Sequence, residues 1–362
     1  MTTARPAELD AMRRAVELSR AALGTTSPNP PVGAVVLDAD GVVAGEGWTR
    51  PPGGPHAEVV ALQSAGPRAR GGTAVVTLEP CRHTGRTGPC TRALLDAGVA
   101  RVVVACADRT AEAAGGADAL RAAGVDVVPD VLADEVAHGP LEAWLTSRRT
   151  GRPFVTWKFA ATLDGRSAAA DGTSRWITGG TARADVHRLR AEADAVVAGV
   201  GTVLADDPLL TTRPDPGHQP LRVVVDSTGR TPLTARALSG ERPAVVAVRD
   251  DVPPGTYPDQ LPLPGDDRGR VDLLALLQAL ADREVVSVLL EGGPTLAGAF
   301  VERGLVDRVV GYVAPALLGA GPAALADAGA GTISEIHRLR LDDVARTGDD
   351  VRLTLRPRNG GA

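Results

Sequence analysis

The sequence predicts an α/β protein made of two consecutive domains, and three observations carry that prediction. Its 362 residues exceed one ordinary core and suit two units of about 150 to 200 residues each. Through the first half, apolar runs of strand length alternate with helical segments, the pattern of a largely parallel sheet covered on both faces. The polar segment RRTGRP at 148–153, broken by glycine and proline, then precedes a second series of strand runs. Domains are expected over residues 1–148 and 153–362.

Taken in order, Leu9, Met12, Val16 and Leu23 recur at helical spacing, with Gly24 as a stop. VGAVVLDADGVVAGEGW reads as a hairpin turning at Asp40-Gly41. HAEVVALQSA reads as a helix, TAVVTLE a strand, CTRALLDAG a helix and RVVVAC a strand. A further helix, the short strand VDVV and a helix near 132–147 complete the first half. The second half offers FVTWKFAAT, DAVVAGV, LRVVVD, AVVAVR, VVSVLL, RVVGYVA and VRLTLR as strands, with residues 250–268 as a surface loop. No internal repeat at a fixed period is present.

Aromatic residues make up 2% of the chain, so its cores must be built from Val, Leu and Ala. The net charge of −5 comes without a long basic block, which argues against a nucleic-acid partner. No apolar run is long enough for a membrane span, and MTTARPAELD lacks the apolar centre of a signal peptide. A cytoplasmic setting and a homo-oligomer are expected. Structural disulfides are rare in the cytosol, which disfavours a Cys81–Cys90 bridge.

Cys81 and Cys90 have candidate partners in PHAEVVAL, which supplies His56 and Glu58. Residues two apart on a helix point about 200° away from each other, so both serve one site only if it lies over the helix start. Pro55 and Pro89 each sit where a helix would begin, just before His56 and Cys90. One His and two Cys give three zinc ligands and leave one position open, the catalytic count. Zinc-bound water would then act as hydroxide near neutral pH, with Glu58 moving protons, the logic of zinc-dependent nucleobase deaminases. Taken singly, His56 reads as a turn residue and each cysteine as a buried thiol. Their joint occurrence favours the metal. Cys106, at the end of RVVVAC, reads as a packing residue.

TSPNPPVGAVV, PHAEVVAL and TLEPCRHTGRTGPC together resemble the deaminase half of the bifunctional riboflavin-biosynthesis deaminase–reductase family, RibD. The resemblance implies a cytidine-deaminase-like α/β/α domain. It makes His56, Cys81 and Cys90 the zinc ligands, Glu58 the proton carrier and Asn29 a pyrimidine contact. Two departures stand out. Arg82 follows the first cysteine where the family has Ser, and Asp108-Arg109-Thr110-Ala111 replaces a D-P-N-P, putting Thr110 in place of an Asn.

In the second half, period-2 alternation puts Phe154, Thr156, Lys158 and Ala160 on one strand face. Lys158 there is either a strand-end lysine reaching water or one that faces a ligand. LLEGGPTLAGAF reads as a strand, a glycine pair and a helix start, suited to a cofactor phosphate. GVGTVL by itself is a weak nucleotide signal. With TSRWITG and GVGTVLADDPLLTTR, these stretches resemble the reductase half of the same family, similar in fold to dihydrofolate reductase. The resemblance implies NADPH contacts at Ala160, Trp176, Thr202, Asp206, Ser227, Gly293, Pro294, Thr295, Leu296, Ala297, Gly298 and Ala299. It implies substrate contacts at Lys158, Ser174, Arg190, Leu210, Arg213 and Glu291, two of them arginines suited to a phosphorylated sugar.

The expected function is deamination of a phosphoribosylated diaminopyrimidinone followed by NADPH reduction of its ribose. The DRTA departure keeps open a specialised paralogue acting on a related pyrimidine. A nucleic-acid-binding deaminase-like protein is disfavoured by the acidic balance.

Overall fold

The computed structural model describes residues 3–84, 88–110, 113–213, 218–240 and 244–358. The chain divides into two compact units, Met1–Thr150 and Gly151–Ala362. The first runs α1 (Pro6–Arg20), β1 (Gly33–Leu37), β2 (Val43–Trp48), α2 (Ala57–Ala65), β3 (Thr73–Leu78), α3 (Cys90–Ala97), β4 (Arg101–Cys106), α4 (Gly116–Ala122), β5 (Asp126–Val128), α5 (Ala133–Ala137) and α6 (Glu142–Thr150).

Its five strands lie in the order β2-β1-β3-β4-β5. The expected largely parallel sheet is corrected here: β1 pairs antiparallel with both β2 and β3, and only β3, β4 and β5 are parallel. The early hairpin, turning at Gly41 with φ +82, enforces that reversal. Glycines then let helices press close on either face. A Cβ on Gly33 would lie 1.9 Å from the Ala15 carbonyl oxygen of α1, and one on Gly47 2.5 Å from the Ala57 carbonyl oxygen of α2. Gly33 alternates with Ala34, whose cross-strand partner is Gly47, so α1 and α2 cover opposite faces. Arg101 of β4 donates to Glu8 of α1 at 2.7 Å, tying helix to sheet in a buried pair.

Three boundaries differ from expectation. The helix expected near 132–147 is two helices, α5 and α6, interrupted around Gly139-Pro140. The linker expected at 148–153 is half helical, because Arg148, Arg149 and Thr150 complete the last turn of α6. The first helix also ends at Arg20, one turn before Gly24.

The second unit runs β6 (Phe154–Thr162), α7 (Gly180–Glu192), β7 (Ala195–Gly199), α8 (Val200–Asp206), β8 (Leu221–Val225), β9 (Ala244–Arg249), β10 (Gln260–Leu263), α9 (Leu273–Ala281), β11 (Ser287–Glu291), α10 (Pro294–Glu302), β12 (Arg308–Ala314), β13 (Leu339–Thr347) and β14 (Asp350–Pro357). Its nine strands lie in the order β10-β9-β8-β7-β11-β6-β12-β14-β13. The first seven in that order are parallel and the last two are antiparallel. Alternate residues sort into separate cores: Val197, Val223 and Leu290 pack with α9 and α10, while Val196, Val224 and Leu289 face the other side. Burial on both faces explains why these strands read as continuous apolar runs.

Two strands escaped the sequence reading. β10 lies inside the stretch expected to be a loop, where Pro and Asp mask a short strand that pairs with β9 at the sheet edge. β13, LRLDDVART, is mostly exposed and charged, so it lacks the apolar signal of the inner strands. Among the described residues no helix is long and apolar enough to cross a membrane.

Candidate active sites

The first site forms where two helix starts meet the end of a strand. His56 is the N-cap of α2, with extended backbone at φ −72 and ψ 162. Its side chain therefore leaves the helix before the 100° winding begins, which lets it share a site with Glu58 in the first turn. Cys90 opens α3, with Pro89 as its N-cap, one residue earlier than the first-turn position expected for that proline. Cys81 lies just beyond β3, and its sulfur accepts the Cys90 backbone N–H at 3.4 Å.

His56 Nδ1 lies 3.7 Å from Cys81 Sγ and 3.3 Å from Cys90 Sγ. All three ligand atoms fall within 4.8 Å of one another. Tetrahedral zinc, with Zn–S near 2.3 Å and Zn–N near 2.0 Å, sets neighbouring donors about 3.6 Å apart. The donor set and its spacing fit zinc. The neighbouring Cys90 and His56 lower the pKa of Cys81 to about 4 against the opposing effect of burial. The adjoining Cys81 and burial push Cys90 up. One thiolate stands ready, and a cation displaces the second proton. Glu58 is 5% exposed, and burial raises its pKa, so the carboxyl can hold a proton closer to neutrality.

Elsewhere in the first unit, Asn29 is half-buried in the loop between α1 and β1, its N–H donating to the Thr26 carbonyl at 2.8 Å. The neighbouring Pro28 carbonyl accepts from Trp144 Nε1 and from Arg148, each at 3.2 Å, so α6 holds that loop. Arg82 donates to the Ala114 carbonyl at 2.6 Å. Thr110 donates its hydroxyl to Asp108 at 2.7 Å, closing a local turn. Ala111 lies outside the described residues. Cys106 is buried, with its sulfur 3.6 Å from the Ala133 carbonyl oxygen.

The second site is a cleft of about 1430 Å3 in the second unit. That exceeds the roughly 300–1,000 Å3 of an ordinary small-molecule site and leaves room for two ligands. It opens at the carboxyl ends of the parallel strands, where β11 returns to insert between β6 and β7. Lys158 of β6 is the register partner of Glu291 at the end of β11. Alternation aims both at the face covered by α7, which delivers Arg190.

Arg190 grips Glu291 with two hydrogen bonds, Nε to Oε1 at 2.5 Å and the second nitrogen to Oε2 at 2.9 Å. A third runs to the Thr211 carbonyl at 2.9 Å. Burial pushes Glu291 up, but the charge and hydrogen bonds of Arg190, helped by Lys158, outweigh it and hold the carboxylate below its usual range. Lys158 Nζ stands 3.8 Å from Glu291, beyond hydrogen-bond reach, so its donors remain for a ligand. Burial lowers its pKa, partly opposed by Glu291. It is the only lysine among the 39 Lys and Arg residues of the chain. A compact ammonium whose pKa moves with burial thus occupies the one position where arginine, which stays charged, is not used.

The turn after β11 carries the glycine pair. Gly292 and Gly293 adopt φ +93 and φ +44, and a Cβ on Gly292 would lie 2.5 Å from Thr202 Oγ1. Only glycine allows that approach between this turn and α8. Of the contacts expected in this unit, all line the cleft except Ala297 and Gly298. Ala297 packs in the core with Phe300, and Gly298 is pressed against the Asp327 carbonyl, 2.2 Å from where its Cβ would be. Both sit on the face of α10 turned away from the cleft.

Residues 6–106 match the cytidine and deoxycytidylate deaminase zinc-binding region, and residues 153–353 match the RibD C-terminal domain. Riboflavin biosynthesis protein RibD of Mycobacterium tuberculosis is 48% identical over 350 residues, covering 96% of each chain. That of Escherichia coli is 39% identical, covering 95% of this chain and 98% of the relative. The chain belongs to the RibD family. Among solved structures, Acinetobacter baumannii RibD is 40% identical with a TM-score of 0.87, covering 98% of this chain and 99% of the other. A Thermotoga maritima diaminohydroxyphosphoribosylaminopyrimidine deaminase/5-amino-6-(5-phosphoribosylamino)uracil reductase is 34% identical with a TM-score of 0.88, covering 97% and 99%.

As a RibD-family chain it joins a zinc-dependent deaminase domain to an NADPH-dependent reductase domain and acts in riboflavin biosynthesis. Sequence reasoning missed several side chains that line the reductase cleft. His187 precedes Arg190 by one helical turn, and Arg183 stacks 4.4 Å above the Trp176 ring. Isolated in a helix of ordinary composition, neither carries a motif. The i, i+3 spacing of His187 to Arg190 was the one available signal.

Proposed function

We propose that the chain converts a phosphoribosylated diaminopyrimidinone in two steps, deamination at the His56–Cys81–Cys90 cluster and ribose reduction at the Lys158–Arg190–Glu291 cluster. The observation that carries this is one chain holding both clusters, each with the groups its chemistry requires. The split falls between residues 148 and 153, so that each piece keeps one complete site.

In the first site, zinc held by His56, Cys81 and Cys90 supplies a water nucleophile near neutral pH. Glu58, with its proton affinity raised by burial, accepts the water proton, delivers it to the ring nitrogen and then assists the departing ammonia. Asn29 orients the pyrimidine. In the second site, NADPH supplies hydride to C1 of the opened ribose. Lys158 holds a proton at the sugar oxygen, and Glu291, kept ionised by Arg190, fixes the position of that ammonium. Arg190 is committed to Glu291, so Arg213 is the stronger candidate for the substrate phosphate.

The protein acts in the cytoplasm on this small phosphorylated pyrimidine, without nucleic acid or membrane. A homo-oligomer is supported by the edge strand β13, which exposes Leu341 and Val344. A second reading, a paralogue for a related pyrimidine, is favoured by Thr110, whose hydroxyl is turned inward onto Asp108. Incubating the purified protein with the diaminopyrimidinone phosphate, with and without NADPH, tests the proposal. Mass analysis should show the deaminated compound alone, then its ribityl product when NADPH is added. An unchanged substrate in both tubes would refute it.

A further inference from the structure

Among the described residues, none of the β13–β14 hairpin lines the reductase cleft. The hairpin nevertheless holds the helix that does. The N-cap of α7 is Gly179, which has no side chain to offer, and the first turn of the helix carries no acidic residue. The cap comes from β14 instead. The Gly179 N–H donates to the Asp350 carboxylate at 2.8 Å, a negative group where the helix dipole favours one. In the turn just before Asp350, a Cβ on Gly348 would lie 3.1 Å from Thr181 Oγ1, so the hairpin tip touches the first turn of α7.

Two residues further along β14, Arg352 donates to Asp185 of α7 at 3.1 Å. Its register partner on β12, Tyr312, donates its hydroxyl to the same carboxylate oxygen at 2.7 Å. Arg188 adds a hydrogen bond of 2.8 Å from within the helix. Burial raises the Asp185 pKa, but Tyr312, Arg188 and Arg352 outweigh it and keep the carboxylate charged. Tyr312 is fully buried and packs with Val310 against Ala182 and Val186. Across the sheet, Val310 and Tyr312 pair with Lys158 and Ala160, so this anchor stands one strand from the reacting lysine.

The winding of α7 ties the anchor to the cleft. At about 100° per residue, Arg183, His187 and Arg190 fall within about 60° of one another, and all three line the cleft. Asp185 stands roughly opposite that stripe, and Ala182, Val186 and Leu189 fill the sector between them against the sheet. A rotation of about 10° around the helix axis moves a group about 6 Å from it by about 1 Å. Misplacement by about 1 Å is enough to cost on the order of 10² in rate.

We propose that Asp185 is a positioning residue for reduction: clamped by Tyr312 and Arg352, it fixes the rotation of α7 and so the placement of His187 and Arg190 in the cleft. Asp185 itself does not line the cleft. Through Arg352 and Asp350 the carboxyl-terminal hairpin becomes part of the scaffold of the reaction. The inference rests on reading this cleft as the reductase site.

Steady-state reduction of the deaminated substrate by the full chain tests it, with Asp185→Asn and Tyr312→Phe set beside Leu280→Ala. Leu280→Ala hollows the core under α9, away from the cleft, and supplies a variant that is destabilised only. All are assayed at a temperature where circular dichroism shows them folded. Asp185→Asn should lower kcat on the order of tenfold, and Tyr312→Phe in the same direction by less. The KM for NADPH should stay within about twofold and deamination should not change. Leu280→Ala should melt earlier yet keep its kcat within about twofold. If Asp185→Asn does not fold, Tyr312→Phe carries the test, since it keeps the ring in the core. A wild-type kcat in the folded variants, an equal loss in Leu280→Ala, or a loss confined to the KM for NADPH overturns the inference and leaves the reductase reading intact. A wild-type chain that does not oxidise NADPH on this substrate removes both.

Discussion

Between Pro55 and Cys90 the chain gathers its metal-binding and proton-carrying groups on two adjacent helix starts and a strand end, whereas Arg190 and Glu291 of the second site stand 101 residues apart. The groups of the first cluster share one sign of demand: a histidine nitrogen and two sulfurs converge as donors, and a cation satisfies them together. The second pairs opposite charges within itself, because Arg190 and Lys158 face Glu291, with one positive charge left over for a ligand. A site of the first kind stands or falls with its metal. One of the second kind keeps its shape without ligand and fails through loss of a single charged group.

The largest expected effect breaks the first cluster. In Cys81→Ser, one of three ligands is removed, so zinc measured by atomic absorption should fall well below about one per chain and deamination should vanish. Full zinc occupancy in that variant would defeat the ligand assignment. Glu58→Gln sharpens the contrast by keeping the metal while lowering deamination by on the order of 10² or more. Neither change should alter NADPH oxidation on the deaminated substrate.

The second cluster breaks differently. Lys158→Met should cut reduction by tens of times or more and leave zinc and deamination as they are. Its pKa is lowered from 10.5, so the charged form is lost at a lower pH than for a free lysine. Reduction should therefore decline on the alkaline side before pH 10.5, and that limb should be missing from the residual activity of the methionine variant. An unchanged rate would make Lys158 a solvated lysine.

A smaller effect is expected at the glycine turn. Gly292→Ala would place a methyl group 2.5 Å from Thr202 Oγ1 on a backbone at φ +93. A cost of about 1–3 kcal/mol follows from strain of this kind. Titration should show weaker NADPH binding, and thermal unfolding followed over the second unit should shift downward. Deamination should not change.

The smallest effect is expected at Thr110. An asparagine there should leave zinc alone and lower the deaminase KM by a few-fold, or leave it unchanged if a neighbour compensates. A raised KM for the diaminopyrimidinone phosphate, with a gain for another aminopyrimidine, would favour the paralogue reading.

The same contrast explains what the sequence disclosed. The first site was legible because its ligands sit at fixed short spacings beside prolines that mark helix starts, which is local information. The second was legible in part, through the apolar run that Lys158 interrupts and the glycine pair after β11. Its ion pairing was not, because bringing Arg190 onto Glu291 depends on β11 inserting between β6 and β7, a pairing no local pattern encodes. Arg190, a substrate contact by the family resemblance, also grips Glu291 in the structure. The antiparallel pairing of β1 with β3, beyond the hairpin, was missed for the same reason, since an apolar strand buried on both sides reads alike in either direction. β13 was missed because an exposed, charged edge strand has no hydrophobic period to detect.

The central claim is that one chain carries two sites that work separately, and two variants in one tube test it most directly. Glu58→Gln and Lys158→Met are each assayed with both substrates and then mixed with the diaminopyrimidinone phosphate and NADPH. The account predicts that Lys158→Met deaminates at the wild-type rate and stops there. Glu58→Gln should reduce only material that is already deaminated, and the mixture should yield the ribityl product. Loss of both activities in either variant, with fold and zinc content intact, would contradict it.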